Sequence, residues 1–156
     1  HSYRYAFSDS KNPKVLSLTR QDLDYLDFDI KYEEFIKGGY VVSDGDDFTL
    51  VASGSELEIA FKIKAALLEY SVRIISVPIL NKLSNMQNEE INELLKNKHV
   101  FPIELGRSIG WESYLGRITK TFSIDSFGES APIEDLEKNF GFDVPSITKE
   151  IIKYLN

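Results

Sequence analysis

No cysteine occurs anywhere in the 156 residues. Disulfides, thiolate nucleophiles and cysteine-ligated metals are thereby excluded, and the composition fits a reducing compartment and a cytoplasmic location. Histidine is almost as scarce, limited to His1 and His99. Neither has sequence neighbours that would complete a triad or a metal cluster, and His99, at the start of a predicted strand, reads as a surface or cap residue. No apolar run approaches the ~20 residues of a membrane-spanning helix, and the N-terminus carries no signal-peptide pattern. The first residue is His1 rather than Met, so the chain is expected to be a processed or excised piece of something longer. Positive charge is in deficit, with 18 Lys and Arg against 25 Asp and Glu, a net charge of −7 and a pI near 4.9. Such a surface repels nucleic acid and anionic membranes, which sets both aside as general partners.

What is present suits one globular domain with a proper core: 42% of residues are hydrophobic and 12% aromatic. There is no internal repeat and no low-complexity segment. Lys14 to Thr19 alternates apolar and small polar residues and predicts a strand. Tyr3, Tyr5 and Phe7 alternate as well, but His1 to Asn12 is otherwise polar and is expected to be loose. An acidic stretch follows, with Asp22, Asp24, Asp27, Asp29, Glu33 and Glu34 interleaved with aromatics. It reads as a linker held by its rings, with one helical turn before Gly38-Gly39.

From Tyr40 the pattern is regular. Strands are predicted over Tyr40–Val42, Phe48–Ala52, Val72–Val77, His99–Ile103 and Ile118–Asp125. Asp44-Gly45-Asp46-Asp47 is a strong turn signal that lacks the spaced acceptors of a calcium loop. Ser55 to Tyr70 predicts a helix with a Ser55/Glu58 capping box and an apolar face of Leu57, Ala60, Phe61, Leu67 and Leu68. Further helices are predicted over Asn88–Asn97, Trp111–Leu115 and Ser146–Leu155. Phe127 to Phe142 reads as a turn at Gly128, a cap at Ser130, Pro132 in the first helical turn and Gly141 just past the end. Glu134 and Asp135 would sit at that helix's N-terminus, where carboxylates are favoured. Alternating strands and helices imply an α/β fold: a three-layer α/β/α arrangement around a mixed, mostly parallel sheet of about five strands.

Chemistry is sparse. Ser53-Gly54-Ser55 joins a strand to a helix, where nucleotide loops occur, but it has one glycine and no lysine, and Glu56 and Glu58 would repel a phosphate. Trp111 and Tyr114 fit a plug at the end of a sheet better than a ligand pocket. Glu104, at a strand end and followed by Gly106 and Arg107, is the better polar candidate, because open α/β sheets bind ligands at strand C-termini. Ser53, Glu104 and Gly106 together form the candidate strand-end ligand site, with Glu104 as a cap for the next loop as the alternative. Arg20 directly follows a predicted strand, where its guanidinium could fork onto a phosphate or carboxylate. A salt bridge to the acids downstream is equally open.

With those residues set out, the chain resembles the C-terminal part of a transketolase. Leu18-Thr19-Arg20-Gln21 is similar to that family's S-R-Q segment, and Lys37-Gly38-Gly39-Tyr40-Val41 to its K-G-G-Y-V. Ala52-Ser53-Gly54-Ser55-Glu56 resembles A-T-G-S-E, and Ser76-Val77-Pro78 the S-M-P or S-L-P turn. Glu104, Gly106, Trp111, Tyr114 and Gly116 follow the E-x-G, W and Y-x-G pattern. Phe127 to Pro132 and Phe140-Gly141-Phe142 complete the set, in order and at matching spacing.

The resemblance implies a last strand of a pyrimidine-binding domain plus linker over residues 1–39 and a transketolase C-terminal domain over 40–156. It implies a homodimeric enzyme that uses thiamine diphosphate and Mg²⁺ to move a two-carbon ketol unit between sugar phosphates in the pentose phosphate pathway. The cofactor and metal would bind the remainder of the chain, and this piece would bind neither and be inactive alone. Only Arg20 corresponds to a substrate-contacting residue, the arginine that binds the sugar phosphate, with Thr19 in place of Ser and Asp22 where Asn is common. Two other readings stand beside it. One is a non-catalytic regulatory or assembly module with a small ligand at Ser53, Glu104 and Gly106. The other is a related thiamine enzyme, a deoxyxylulose-phosphate synthase or a 2-oxoacid dehydrogenase beta subunit.

Overall fold

A computed structural model of the chain describes residues 1–9 and 11–156, with Glu134 described through its backbone alone. The expected role of the Glu134 carboxylate lies outside the described residues. The strands are β1 (Tyr40–Ser43), β2 (Phe48–Ala52), β3 (Val72–Ser76), β4 (His99–Glu104) and β5 (Phe122–Ser123). The helices are α1 (Ser2–Phe7), α2 (Tyr32–Phe35), α3 (Glu56–Ala66), α4 (Asn88–Leu95), α5 (Trp111–Leu115), α6 (Ile133–Asn139) and α7 (Val144–Leu155). A 3₁₀ helix spans Leu80–Asn85.

The strands form one five-stranded sheet in the order β1-β3-β2-β4-β5. The β2/β3, β2/β4 and β4/β5 pairs are parallel, and β1 runs antiparallel to β3 at one edge. This is the mixed, mostly parallel sheet expected, with helices on both faces. All five residues of β2 and of β3 are buried, as central parallel strands require. Phe48, Leu50 and Ala52 of β2 point to one face, where they pack with Leu57, Ala60 and Ile63 of α3 and Ile147 and Ile151 of α7. Val51 points to the other face and joins Ile91 and Leu95 of α4 and Trp111 and Leu115 of α5. Trp111 is 1% exposed and plugs this second core.

Several local expectations give way to tertiary demands. Lys14 to Thr19 forms no strand and is largely exposed, with Val15 92% and Leu18 69% accessible. A strand needs a hydrogen-bonded neighbour, and none of the described strands pairs with this segment. Conversely, part of the polar start is helical, as α1. His1 Nε2 lies 2.7 Å from the Ile30 carbonyl oxygen, and Arg4 sits 3.8 Å over the Tyr32 ring, which ties α1 to α2. The predicted strand Ile118–Asp125 contracts to Phe122–Ser123, because only those residues meet β4 in register.

Helix α3 stops at Ala66, not Tyr70. Leu67 turns out of helical geometry so that Val72 can enter the sheet, and Leu68 ends 85% exposed instead of on the apolar face. The Ser55/Glu58 capping box does not form. Ser55 already has helical backbone angles, and Glu58 is drawn outward to Lys62 and to the Asp24 N–H at 3.2 Å. Helix α4 ends at Leu95, two residues early, where Lys96 adopts φ 53°. Ser130 does not cap α6 either: Pro132 occupies the cap position, in extended geometry rather than in the first turn. The other end of α6 is as expected. Gly141 takes φ 64°, its N–H donates to the Lys138 carbonyl at 3.1 Å, and the Phe142 N–H donates to the Glu137 carbonyl at 2.7 Å. This double closure folds Phe142 into the core, where it is 3% exposed.

Candidate functional site

The parallel register pairs Ala52 with Ile103, so the chain leaves β2 at Ser53 beside the end of β4 at Glu104. A tight turn follows Ser53, with Gly54 at φ 57° and the Glu56 N–H donating to the Ser53 carbonyl at 3.2 Å. Glu56, the first residue of α3, is buried. Its Oε1 accepts from the Leu105 N–H at 3.0 Å and its Oε2 from the Ser55 hydroxyl at 3.0 Å. The turn after β2 is thus bonded to the loop after β4.

Glu104 Oε1 accepts from the Gly106 N–H at 2.9 Å, and Oε2 accepts from Trp111 Nε1 at 3.3 Å. The Gly106 carbonyl in turn accepts from the Ile124 N–H at 3.0 Å. Glu104 and Gly106 are therefore joined directly, with Ser53 on the adjacent turn. Both Glu104 oxygens are engaged inside the protein, as a carboxylate that caps the following loop would be. A little further on, Asp125 accepts from the Ser123 hydroxyl at 2.5 Å and from the Ser108 N–H and hydroxyl, each at 3.1 Å. The Ser123 bond, with the Ser108 N–H next in weight, holds the Asp125 carboxyl below its ordinary value.

Arg20 lies elsewhere, in the exposed segment between α1 and α2. The Gln21 N–H donates to Thr19 Oγ1 at 3.2 Å, which bends the backbone at Arg20. Among the described residues the guanidinium takes part in no hydrogen bond or ion pair, and nothing of that kind joins it to the strand-end group. No group of three or more His, Asp or Glu among the described residues is placed to hold a metal ion.

Sequence reasoning missed two buried charged residues among those described, Glu56 and Arg73. Glu56 reads there as an exposed first-turn acid, because its partner is an N–H far along the chain. Arg73, 8% exposed in β3, donates from Nε to the Leu94 carbonyl at 2.9 Å and from Nη1 to Asp44. It closes the C-terminus of α4 against the Asp44–Asp47 turn. A lone arginine between apolar strand residues marks a buried cation, but the spacing does not name its partners.

The family described as transketolase-like TK C-terminal domain matches residues 38–143. This chain belongs to that family. It is 34% identical to the transketolase of Bacillus subtilis over 99% of its own length and 25% of the relative's. It is 35% identical to the chloroplastic transketolase of Zea mays over 94% of its length and 23% of the relative's. Among solved structures, a Pichia stipitis transketolase in complex with sedoheptulose-7-phosphate superposes with a TM-score of 0.85 at 25% identity. That match covers 99% of this chain and 23% of the other. The chain thus spans about a quarter of the transketolases it matches.

Proposed function

We propose that this chain acts as the C-terminal part of a transketolase, and that it transfers two-carbon ketol units only in company with the cofactor-binding remainder of such an enzyme. The observation that carries this is the reach of the structural match. It extends over 99% of the chain and so takes in the exposed N-terminal segment as well as the α/β domain. An alternating segment with Val15 and Leu18 outward makes physical sense as a strand whose neighbours belong to another part of the protein. On this reading residues 1–39 close a preceding domain and 40–156 form the C-terminal domain.

The donors present do not suit the cofactor pair. Mg²⁺ needs several oxygen ligands brought together, and the described acids are either engaged singly or scattered. We assign thiamine diphosphate and Mg²⁺ to the remainder of the enzyme. The one substrate contact proposed for this chain is Arg20, whose exposed guanidinium would clamp the phosphate of the sugar. The location proposed is cytoplasmic and the assembly a homodimer of the complete enzyme.

The test is reconstitution. The purified chain, the cofactor-binding portion of a transketolase, and the two combined are each assayed for ketol transfer with thiamine diphosphate and Mg²⁺. Activity confined to the mixture is expected. Turnover by this chain alone, or a mixture no more active than its parts, overturns the proposal.

A further inference from the structure

A cavity of about 330 Å³ opens at the C-terminal ends of β4 and β5, roofed by α6. Helical spacing brings Leu136 and Glu137 of α6, with Phe140 just past it, to one side of the roof, and Leu105, Ile124 and Phe142 complete the walls. Leu105 and Ile124 pack against the buried core of the α3/α7 face, and Phe142 belongs to it, so the cavity is an open continuation of that core. The site has the size, the apolar lining and the strand-end position of a small-molecule pocket.

The charge around this cavity is negative. Its lining holds two carboxylates, Glu129 and Glu137, against one guanidinium, Arg107. Arg107 also acts on the Asp125 carboxyl, which it helps to hold low, so its field is shared with a third acid. Glu129 accepts from the neutral Asn139 amide at 3.2 Å, and that bond leaves its charge in place. Glu137 is half-buried, and its carboxylate takes part in no hydrogen bond or ion pair among the described residues. It helps to raise the pKa of Lys62 on α3, but that lysine is bound directly by Glu58. At the edge of an apolar cavity such a carboxylate lacks a bonded cationic partner, which a positively charged N–H donor supplies. Among the described residues no group of three acids is placed to hold a metal ion, and apolar walls offer a bare ion no ligands. An ammonium carried on an apolar body suits both the carboxylates and the walls.

We propose that this cavity binds a small monocation with an apolar body, its ammonium on Glu137 and its body against Leu136, Phe140 and Ile124. The site is separate from Arg20 and does not depend on the transketolase reading. It is tested by titrating phenethylamine into the chain, followed by backbone amide NMR. Hydrocinnamate is the anionic counterpart, and ethylamine is the cation without the apolar body. Saturable shifts are expected with phenethylamine at residues 105–107, 124–129 and 133–142, and none with the other two. Glu137→Gln keeps the shape of the side chain and is expected to weaken phenethylamine binding roughly tenfold, as loss of charge assistance to a hydrogen bond does. Leu136→Trp is expected to fill the cavity and abolish the shifts. Absence of saturable binding, equal binding of hydrocinnamate or of ethylamine, or a Glu137→Gln affinity equal to the parent's overturns the proposal.

Discussion

Glu56 Oε1 accepts a hydrogen bond from the Leu105 N–H at 3.0 Å, so the first turn of α3 holds the end of β4. The two residues belong to different strand-end loops, and both flank the positions at which the sheet presents its C-terminal edge. Glu56→Ala leaves a largely enclosed amide without a partner and is expected to cost about 1–3 kcal/mol. Glu56→Gln keeps an oxygen in place and should cost distinctly less. Urea unfolding of the three proteins decides it. Equal losses for Ala and Gln would mean that the acceptor at Glu56 does not matter.

Arg73 performs the corresponding task at the opposite end of the sheet. It is buried, and it satisfies the Leu94 carbonyl at the end of α4, which has no partner within the helix. Arg73→Met keeps most of the volume but strips that carbonyl of its donor, with an expected loss of about 2–4 kcal/mol. Asp44, its other partner, is well exposed, so Asp44→Ala should cost much less. A double-mutant cycle in which Asp44→Ala matched Arg73→Met would show that the ion pair, rather than the helix-end contact, carries the effect.

These two residues also show where the sequence stops being informative. Elements whose signal is local were legible: β2 from its short, mostly apolar run, α7 from its periodicity, and the end of α6 from Gly141. The α/β class followed from their alternation. What sequence reading missed depends on partners far along the chain. Ser55 and Glu58 have the letters of a capping box, yet Glu58 is engaged by Lys62 and Asp24. Lys14 to Thr19 has the letters of a strand and lacks a neighbour. Glu104 and Gly106 lie at a strand end, and periodicity could not show that both Glu104 oxygens are occupied.

Stability should fall in acid and in strong base. Six carboxyls have folded-state values below their ordinary 3.8 or 4.5: Asp9, Asp44, Glu58, Asp125, Asp143 and Glu150. The leading causes are hydrogen bonds, from the Gly45 N–H to Asp44, from Ser123 to Asp125, from Ser146 to Asp143 and from Lys153 to Glu150. A depressed carboxyl stabilises the fold fully above its unfolded value, and that contribution is lost as pH falls through the folded one. Lys62 and Lys96 are raised above 10.5 by Glu58 and Asp46 respectively, so their contribution is complete below that value and lost as pH climbs past it. The melting temperature is therefore expected to be level from about pH 6 to 9 and to drop below about pH 4 and above about pH 10.5. Most of these groups are exposed, so salt should flatten both limbs. A melting temperature that rose between pH 5 and pH 3 would contradict the assignment.

Arg20 carries the substrate prediction. Its guanidinium is exposed and engages no carboxylate among the described residues, so it is free for a phosphate dianion. In the reconstituted enzyme, Arg20→Ala should remove a charge-assisted contact worth about 1.5–3 kcal/mol, or roughly 10- to 100-fold in kcat/KM. If the proposed contact is to the phosphate, away from the reacting carbons, the loss should fall mainly on KM for phosphorylated ketoses and spare unphosphorylated ones. Arg20→Lys keeps the charge but not the fork and should recover only part of the loss. Asp22→Asn removes a negative charge two residues away and should lower the same KM. Steady-state kinetics with a phosphorylated and an unphosphorylated ketose separate the possibilities. An equal effect of Arg20→Ala on both substrates would place Arg20 in the scaffold and leave the phosphate without a clamp in this chain.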